Sequence, residues 1–294
     1  MNDQDDAVNS TLEQWVDVTQ TQEAELARFP LDALAATLDL KDMKFSNDAV
    51  IPPLWHWLYF LSITPASELD VDGHARRGGF LPPVPLPRRM WAGGRLDFLR
   101  PLRVGRVIER HSRIINIERK QGRSGPLVFV LVRHEFHDGK GVALVEEHDI
   151  VYRDAPRERP VANTDILPPA LEPEFQQEFT ADEILLFRYS ALTFNSHRIH
   201  IDRDYARNEE AYPGLVVHGP LLATLLMNLL QKHHPQAQIS HFSFRALHPV
   251  FDRRRITLCG RRNDERHVAL WVVDDQGRQC MEARVSLGNR DLHR

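Results

Sequence analysis

Pro220-Leu221-Leu222-Ala223-Thr224-Leu225-Leu226-Met227-Asn228-Leu229-Leu230-Gln231-Lys232 is the stretch that decides the fold. Proline enters at the first turn, where backbone amides lack intrahelical acceptors anyway. Leu221, Leu222, Leu225, Leu226, Leu229 and Leu230 cover most of the circumference, and Thr224, Asn228 and Gln231 leave only a narrow polar stripe. A helix at the surface would be apolar on one face; one that is apolar nearly all round has to be buried. The spacing therefore predicts a helix over 220–232, wrapped by a curved sheet.

Material for such a sheet follows directly. Ser240–His248, Arg254–Arg262, His267–Asp274 and Gln279–Leu287 read as strands, with turns at Asn263-Asp264-Glu265 and Asp274-Asp275-Gln276-Gly277. The first half shows the same order of elements. Helical patterning is expected near Trp15 and through Thr21–Arg28, and a marked apolar helix over Pro52–Phe60. Strands follow at Arg106–Ile117, Leu127–His137 and Leu144–Tyr152, with turns at Gln121–Gly125 and His137–Gly141. The helices enter alike, at Pro52-Pro53 and Gly219-Pro220. The meanders open on similar strings, Phe98-Leu99-Arg100-Pro101-Leu102 and Phe244-Arg245-Ala246-Leu247-His248-Pro249, which points to internal duplication. The fold expected is α+β, a double hot-dog in which two antiparallel sheets each wrap a central apolar helix. Its parts are an N-terminal half over 1–154 with a long loop at 62–91, a Pro-rich linker over 155–175, and a C-terminal half over 176–294. A loop of that length is usually functional or disordered, and Phe80 and Trp91 beside its proline run favour an ordered cover.

Composition narrows the function. The 294 residues carry 37 Lys and Arg against 41 Asp and Glu, a net charge of −4, which argues against a dedicated nucleic-acid binder. The longest apolar run, Leu215–Leu230, is broken by His218, Gly219, Pro220 and Asn228, so no membrane span is expected. The acidic start, Met1–Gln14, lacks the apolar stretch of a signal peptide, and Cys259 and Cys280 are too few for a disulfide scaffold. A cytoplasmic protein with two reduced thiols is the expectation.

Chemistry concentrates in two places. One is Thr193-Phe194-Asn195-Ser196-His197-Arg198-Ile199-His200-Ile201-Asp202; the other is Tyr212-Pro213-Gly214-Leu215-Val216-Val217-His218-Gly219-Pro220, at the mouth of the buried helix. The amides of Gly219 and the first turn have no intrahelical acceptor, and the helix dipole makes that end electropositive. A carbonyl oxygen gaining negative charge would be stabilised there, while a nearby histidine moves a proton. Zinc held by His197, His200 and His218 matches no standard closed site. No Gly-x-Ser-x-Gly, Gly-x-Gly-x-x-Gly or phosphate-cradling loop occurs. His111, His134, His137, His148 and His267 fall in strands or turns and read as structural.

These residues carry a resemblance. Asn195 through Asp202, then Tyr205-Ala206 and Val217-His218-Gly219, resemble the signature of the MaoC-like hydratases and dehydratases. Gly78-Gly79-Phe80-Leu81-Pro82-Pro83 and Leu86-Pro87-Arg88-Arg89-Met90-Trp91-Ala92-Gly93-Gly94 resemble the branch of itaconyl-CoA and mesaconyl-C4-CoA hydratases and type 2 hydroxyacyl-thioester dehydratases. The resemblance implies a hydro-lyase adding water reversibly to an α,β-unsaturated short dicarboxylic acyl-CoA, giving citramalyl-CoA, as in itaconate degradation. It places His200 on the catalytic histidine and Gly219 on the glycine whose amide holds the thioester oxygen. Asn195 stands where the family has aspartate, and His197 and Arg198 stand at its Asn-Pro pair. An amide cannot take a proton as a carboxylate does, so Asn195 would orient water, with His200 or His197 moving protons. Arg198, Arg88 and Arg89 are candidates for the acyl carboxylate, with Trp91, Tyr212, His197 and His218 as further substrate contacts. The resemblance implies no metal or redox cofactor, since CoA arrives with the substrate, and it leaves room for a homodimer. Two alternatives stay open: a 3-hydroxyacyl-ACP or -CoA dehydratase of fatty-acid synthesis, and a non-catalytic acyl-CoA-binding protein.

Overall fold

The computed structural model describes residues 12–122, 125–154 and 171–288. The acidic lead 1–11, the turn residues Arg123 and Ser124, and most of the expected linker (155–170) lie outside them. Ten strands hydrogen-bond in antiparallel pairs into one sheet: β1 (Thr19–Glu25), β2 (Arg88–Phe98), β3 (Val107–Gly122), β4 (Gly125–His137), β5 (Val142–Arg153), β6 (Phe175–Thr180), β7 (Ile239–Ala246), β8 (Arg255–Arg262), β9 (His267–Asp274) and β10 (Gln279–Leu287). Their order is β1-β3-β4-β5-β2-β7-β10-β9-β8-β6, so the pattern of the first five strands returns, mirrored, in the second five. The meander strands lie within a few residues of where alternation and turn chemistry put them.

The two halves meet at β2 and β7, where Gly94 pairs with Phe244 and Leu96 with Phe242. Glycine is needed at this seam. A Cβ on Gly93 would lie 2.5 Å from the Phe244 carbonyl oxygen, and one on Gly94 2.6 Å from that of Glu147.

The helices are α1 (Arg28–Thr37), α2 (Glu183–Leu192), α3 (Arg203–Asn208) and α4 (Gly219–His233). Helix α4 is the expected central helix. Leu221 to Met227, Leu229 and Leu230 are all buried, and it packs on β6, β8 and β9. Its stripe residue Asn228 accepts a hydrogen bond from Trp55 Nε1 of the first half (3.4 Å).

The first half departs from expectation. Pro52–Phe60 forms only a one-turn 3-10 helix at Trp55–Leu58, because Leu54 (φ 73°) and Phe60 (φ 57°) are left-handed and stop it at both sides. Thr21–Arg28 is not helical either; it is mostly the edge strand β1, and the helix begins at Arg28. With no full central helix, part of the first half of the sheet is covered by the proline-rich loop. Val84 and Leu86 pack with Ile114, Val128, Val130, Val132 and Tyr152, and Phe80 and Leu81 lie against them. The loop is thus the ordered cover its aromatic residues suggested. Cys259 and Cys280 are buried free thiols in β8 and β10. No helix among the described residues is long and apolar enough to cross a membrane.

Candidate active site

Where α2 ends, Phe194 turns left-handed (φ 49°) and the chain doubles back, the Asn195 N–H donating to the Ser190 carbonyl (2.8 Å). The Asn195 side-chain oxygen then accepts the His197 N–H (3.0 Å), a local turn characteristic of Asn. A short 3-10 turn over Arg198–His200 follows. Asp202 closes the segment by capping α3, its Oδ1 accepting the Tyr205 N–H. Val216, leading into α4, donates its N–H to the Ile199 carbonyl (2.9 Å). The His-rich segment and the mouth of the buried helix, two separate stretches in the sequence, are therefore one structure.

His200 Nδ1 lies 2.7 Å from the Val216 carbonyl oxygen. A carbonyl only accepts, so Nδ1 carries the proton and Nε2 keeps a free lone pair. Burial pushes the imidazole down to about 4, against a smaller upward pull from the Val216 hydrogen bond, and His200 is neutral near pH 7. Its ring stacks on His218, the residue that caps α4, with centroids 3.7 Å apart. His218 is 1% exposed, shares a 2.9 Å hydrogen bond with Ser190 Oγ, and is held well below the ordinary imidazole range by burial. The adjacent Gly219 borders open space: a Cβ there would meet nothing within 4 Å. Its amide has no acceptor among the described residues, so the electropositive helix end faces that space.

On its other side the site is closed by the long loop of the first half. Arg198 N–H donates to the Asp72 carbonyl (2.9 Å), Ser196 Oγ donates to the Gly73 carbonyl (2.6 Å), and Arg198 Nη1 donates to the Val71 carbonyl (3.1 Å). Docking brings His74 onto His197, with ring centroids 3.9 Å apart, and His197 meets His200 edge to face at 5.5 Å. His74 Nδ1 is 3.0 Å from Asp72 Oδ2. Asp72 and His74 were not legible as site residues, because nothing in their spacing links them to His197. His197, His200 and His218, the trio set aside as a zinc site, meet ring to ring, edge to face at His197–His200 and stacked at His200–His218. Asp72, His74 and His197 instead each place one potential ligand atom within 4.8 Å of the others.

The remaining candidates separate. Arg198 pairs with Asp202 (2.7 Å) and lies over the Tyr205 ring, so it straps the loop and is already neutralised. Arg88 pairs with Glu210 (2.6 Å), and Tyr212 packs near it and against Phe251. Trp91 donates to the Gly93 carbonyl and packs among Trp57, His148 and Phe244, apart from the histidine row. Arg89 has no ion pair among the described residues, and its positive charge acts on both His74 and His197.

Comparison with known proteins matches this arrangement. The family model described as hydroxyacyl-thioester dehydratase type 2 matches residues 54–252, which includes loop, segment and helix mouth. The mesaconyl-C(4)-CoA hydratase of Chloroflexus aurantiacus is 45% identical over 274 residues, 93% of this chain and 97% of that protein. Among solved structures, a MaoC-like dehydratase from Phytophthora capsici superposes with a TM-score of 0.69 at 17% identity, covering 97% of this chain and 99% of the other. A conserved hypothetical protein from Mycobacterium tuberculosis, described as having a double hotdog fold, superposes with a TM-score of 0.58 at 14% identity over 92% of this chain and 96% of its own. At such identities the structures show the fold alone, and that fold is the double hot-dog.

Proposed function

We propose, from the premise that the chain belongs to the hydroxyacyl-thioester dehydratase type 2 family, that it is a hydro-lyase adding water to mesaconyl-C4-CoA or a closely similar short dicarboxylic enoyl-CoA. One observation carries the reading. A neutral His200, with Nε2 free, stacks on the residue that caps α4, and the next amide along borders open space. A thioester oxygen held by the Gly219 amide would gain charge as water attacks the β-carbon, and the helix end stabilises it. His200 Nε2 takes one proton from the water as its oxygen bonds to that carbon. Returning a proton to the α-carbon completes the addition, and the catalytic groups end as they began. Asn195, whose oxygen is engaged by the His197 amide, has its NH2 group left to hold the water.

The substrate's free carboxylate sits on the carbon that receives the hydroxyl, so its partner belongs beside the histidines. Arg89 is the candidate that meets this condition, since Arg88 and Arg198 are already paired. The reading calls for no resident metal or redox group; CoA arrives with the substrate.

The test is a panel of mesaconyl-C4-CoA, itaconyl-CoA, crotonyl-CoA and a 3-hydroxyacyl-CoA, following gain or loss of the conjugated thioester absorbance. Mesaconyl-C4-CoA should give the highest kcat/KM. Preference for the 3-hydroxyacyl thioester would favour the dehydratase reading instead, and release of free CoA thiol would replace hydration by hydrolysis.

A further inference from the structure

Asn195 leaves this site without a carboxylate at the position where its family resemblance calls for one. The site nevertheless has to protonate a buried imidazole during the reaction. An imidazolium in a desolvated position is costly unless an opposite charge faces it. We propose that Asp72 and His74, from the loop of the first half, supply that charge and a second proton-transfer group, so that the catalytic set is completed across the two halves. The inference rests on the hydro-lyase reading of His200.

Four observations converge on this pair. Asp72 is the carboxylate whose charge acts on His197, pulling against the effects of burial and of His74, His200 and Arg89. Asp72 Oδ1 accepts the His74 N–H (2.8 Å) and Oδ2 lies 3.0 Å from His74 Nδ1, so the carboxylate fixes both the turn and the ring. A carboxylate at Nδ1 selects the tautomer with a proton there and leaves Nε2 free to accept one. Burial pushes the Asp72 carboxyl up, but its contacts with His74 outweigh this and keep it ionised. The side chains of Asp72 and His74 are only about one-fifth exposed (20% and 22%).

The loop is also held in register by its backbone. Gly73 is left-handed (φ 87°), and a Cβ there would lie 2.0 Å from the Ser196 carbonyl oxygen. The Asp-Gly-His turn therefore fits against Ser196 and Arg198 only with glycine at its centre. Asp72, His74, His197 and His200 form a row, with the fixed negative charge at the end away from His200 and acting on His197 between them. The other charges facing His74 are Arg89 and Arg77, and both oppose its protonation. Burial, with these two arginines, holds His74 below the ordinary imidazole range against the upward pull of Asp72.

The experiment uses Asp72→Asn, His74→Asn, and each of these combined with Asn195→Asp. Asn at 72 keeps an oxygen for the His74 backbone amide, so the turn survives while the charge is removed. Each single variant should lower kcat on mesaconyl-C4-CoA at least ~10-fold, with KM and thermal midpoint near those of the parent. Asn195→Asp should restore at least several-fold in kcat in both backgrounds, because it returns a carboxylate to the position where the family resemblance calls for one. A purely structural loop would not be rescued in this way. Singles within two-fold of the parent, or losses that Asn195→Asp leaves untouched, overturn the proposal. So does a parent protein that purifies with one equivalent of a divalent metal whose chelation abolishes turnover, since Asp72, His74 and His197 would then be its ligands. A parent that turns over none of the thioesters overturns the functional reading, a separate failure. The pair is then judged by ¹⁵N–¹H histidine spectra: a low-field Nδ1–H resonance of His74, lost in Asp72→Asn, upholds it, and its absence in the parent removes it.

Discussion

His200 lies face to face on His218, with ring centroids 3.7 Å apart and planes inclined by 19°, which ties the proton-transfer group to the residue that caps the buried helix. The stack and the Val216 carbonyl together fix where Nε2 points. His200→Ala should therefore lower kcat by at least ~10²-fold, the scale of a lost general acid–base group. The measurement is steady-state turnover on protein whose far-UV circular dichroism matches the parent. A loss of only a few-fold would take His200 out of the mechanism.

The pH profile should carry the mark of burial. A base works in its unprotonated form, and His200 is held down to about 4 chiefly by desolvation. Activity should persist as pH falls through 6.5, where a solvated imidazole would titrate, and be lost nearer pH 4. The acid limb of kcat/KM against pH reads this directly. A limb centred near 6.5 would mean that the working imidazole is solvated.

Arg89 should govern the choice of acyl group. Arg89→Met should cost mesaconyl-C4-CoA roughly 1.5–3 kcal/mol in kcat/KM, the scale of a hydrogen bond to a charged group, and leave crotonyl-CoA nearly unchanged. Arg88→Met breaks the pair with Glu210 and should affect both substrates alike. Equal effects of Arg89→Met on the two thioesters would leave the carboxylate without its partner.

A second buried network belongs to stability rather than to turnover. Glu146, 1% exposed, lies 3.0 Å from His56 Nε2 and 2.7 Å from His148 Nε2, and accepts from Trp57 Nε1 at 2.7 Å. Burial raises this carboxyl, but His148 and His56 outweigh it and hold the carboxyl well below its ordinary range. A carboxyl depressed in the folded state contributes stability above its unfolded pKa, lost as pH falls toward the folded one. Glu146→Gln should destabilise by about 3–5 kcal/mol near pH 7, as when one member of a buried charged network is removed. In urea titrations the parent should lose stability more steeply than the variant between about pH 5 and pH 3. Parallel slopes would show that Glu146 does not titrate with unfolding.

Much of the second half was legible from local pattern. The helix expected over 220–232 is Gly219–His233, and β9 coincides with its expected span. Asn195, His200 and Gly219 could be singled out as candidates because each sits in a short string whose chemistry is local. The misreadings have physical causes. Thr19–Glu25 is polar along most of its length because β1 is an edge strand paired only with β3, so no apolar alternation announces it. Pro52–Phe60 is apolar enough for a buried helix, yet its aromatic residues pack on separate partners. Trp55 reaches Asn228 while His56 and Trp57 turn to Glu146. Trp91 follows the same logic, drawn into the Trp57 and Phe244 cluster by the strand it belongs to.

By itself the sequence determined the features that depend on near neighbours. These are the period of the central helix, the alternation of the meander strands and the glycine at the helix mouth. Side-chain placement relative to the local backbone repeats every 3.6 or 2 residues, and a single chain displays that repeat openly. Tertiary structure alone decided that Asp72 and His74 stand beside His197 and that Arg89 is left without an ion pair among the described residues. The contacts of Asp72 and His74 with the His197 segment join positions more than 100 residues apart. They exist because the β2–β7 seam sets one half against the other and because Gly73 is small enough to let the loop close on Ser196.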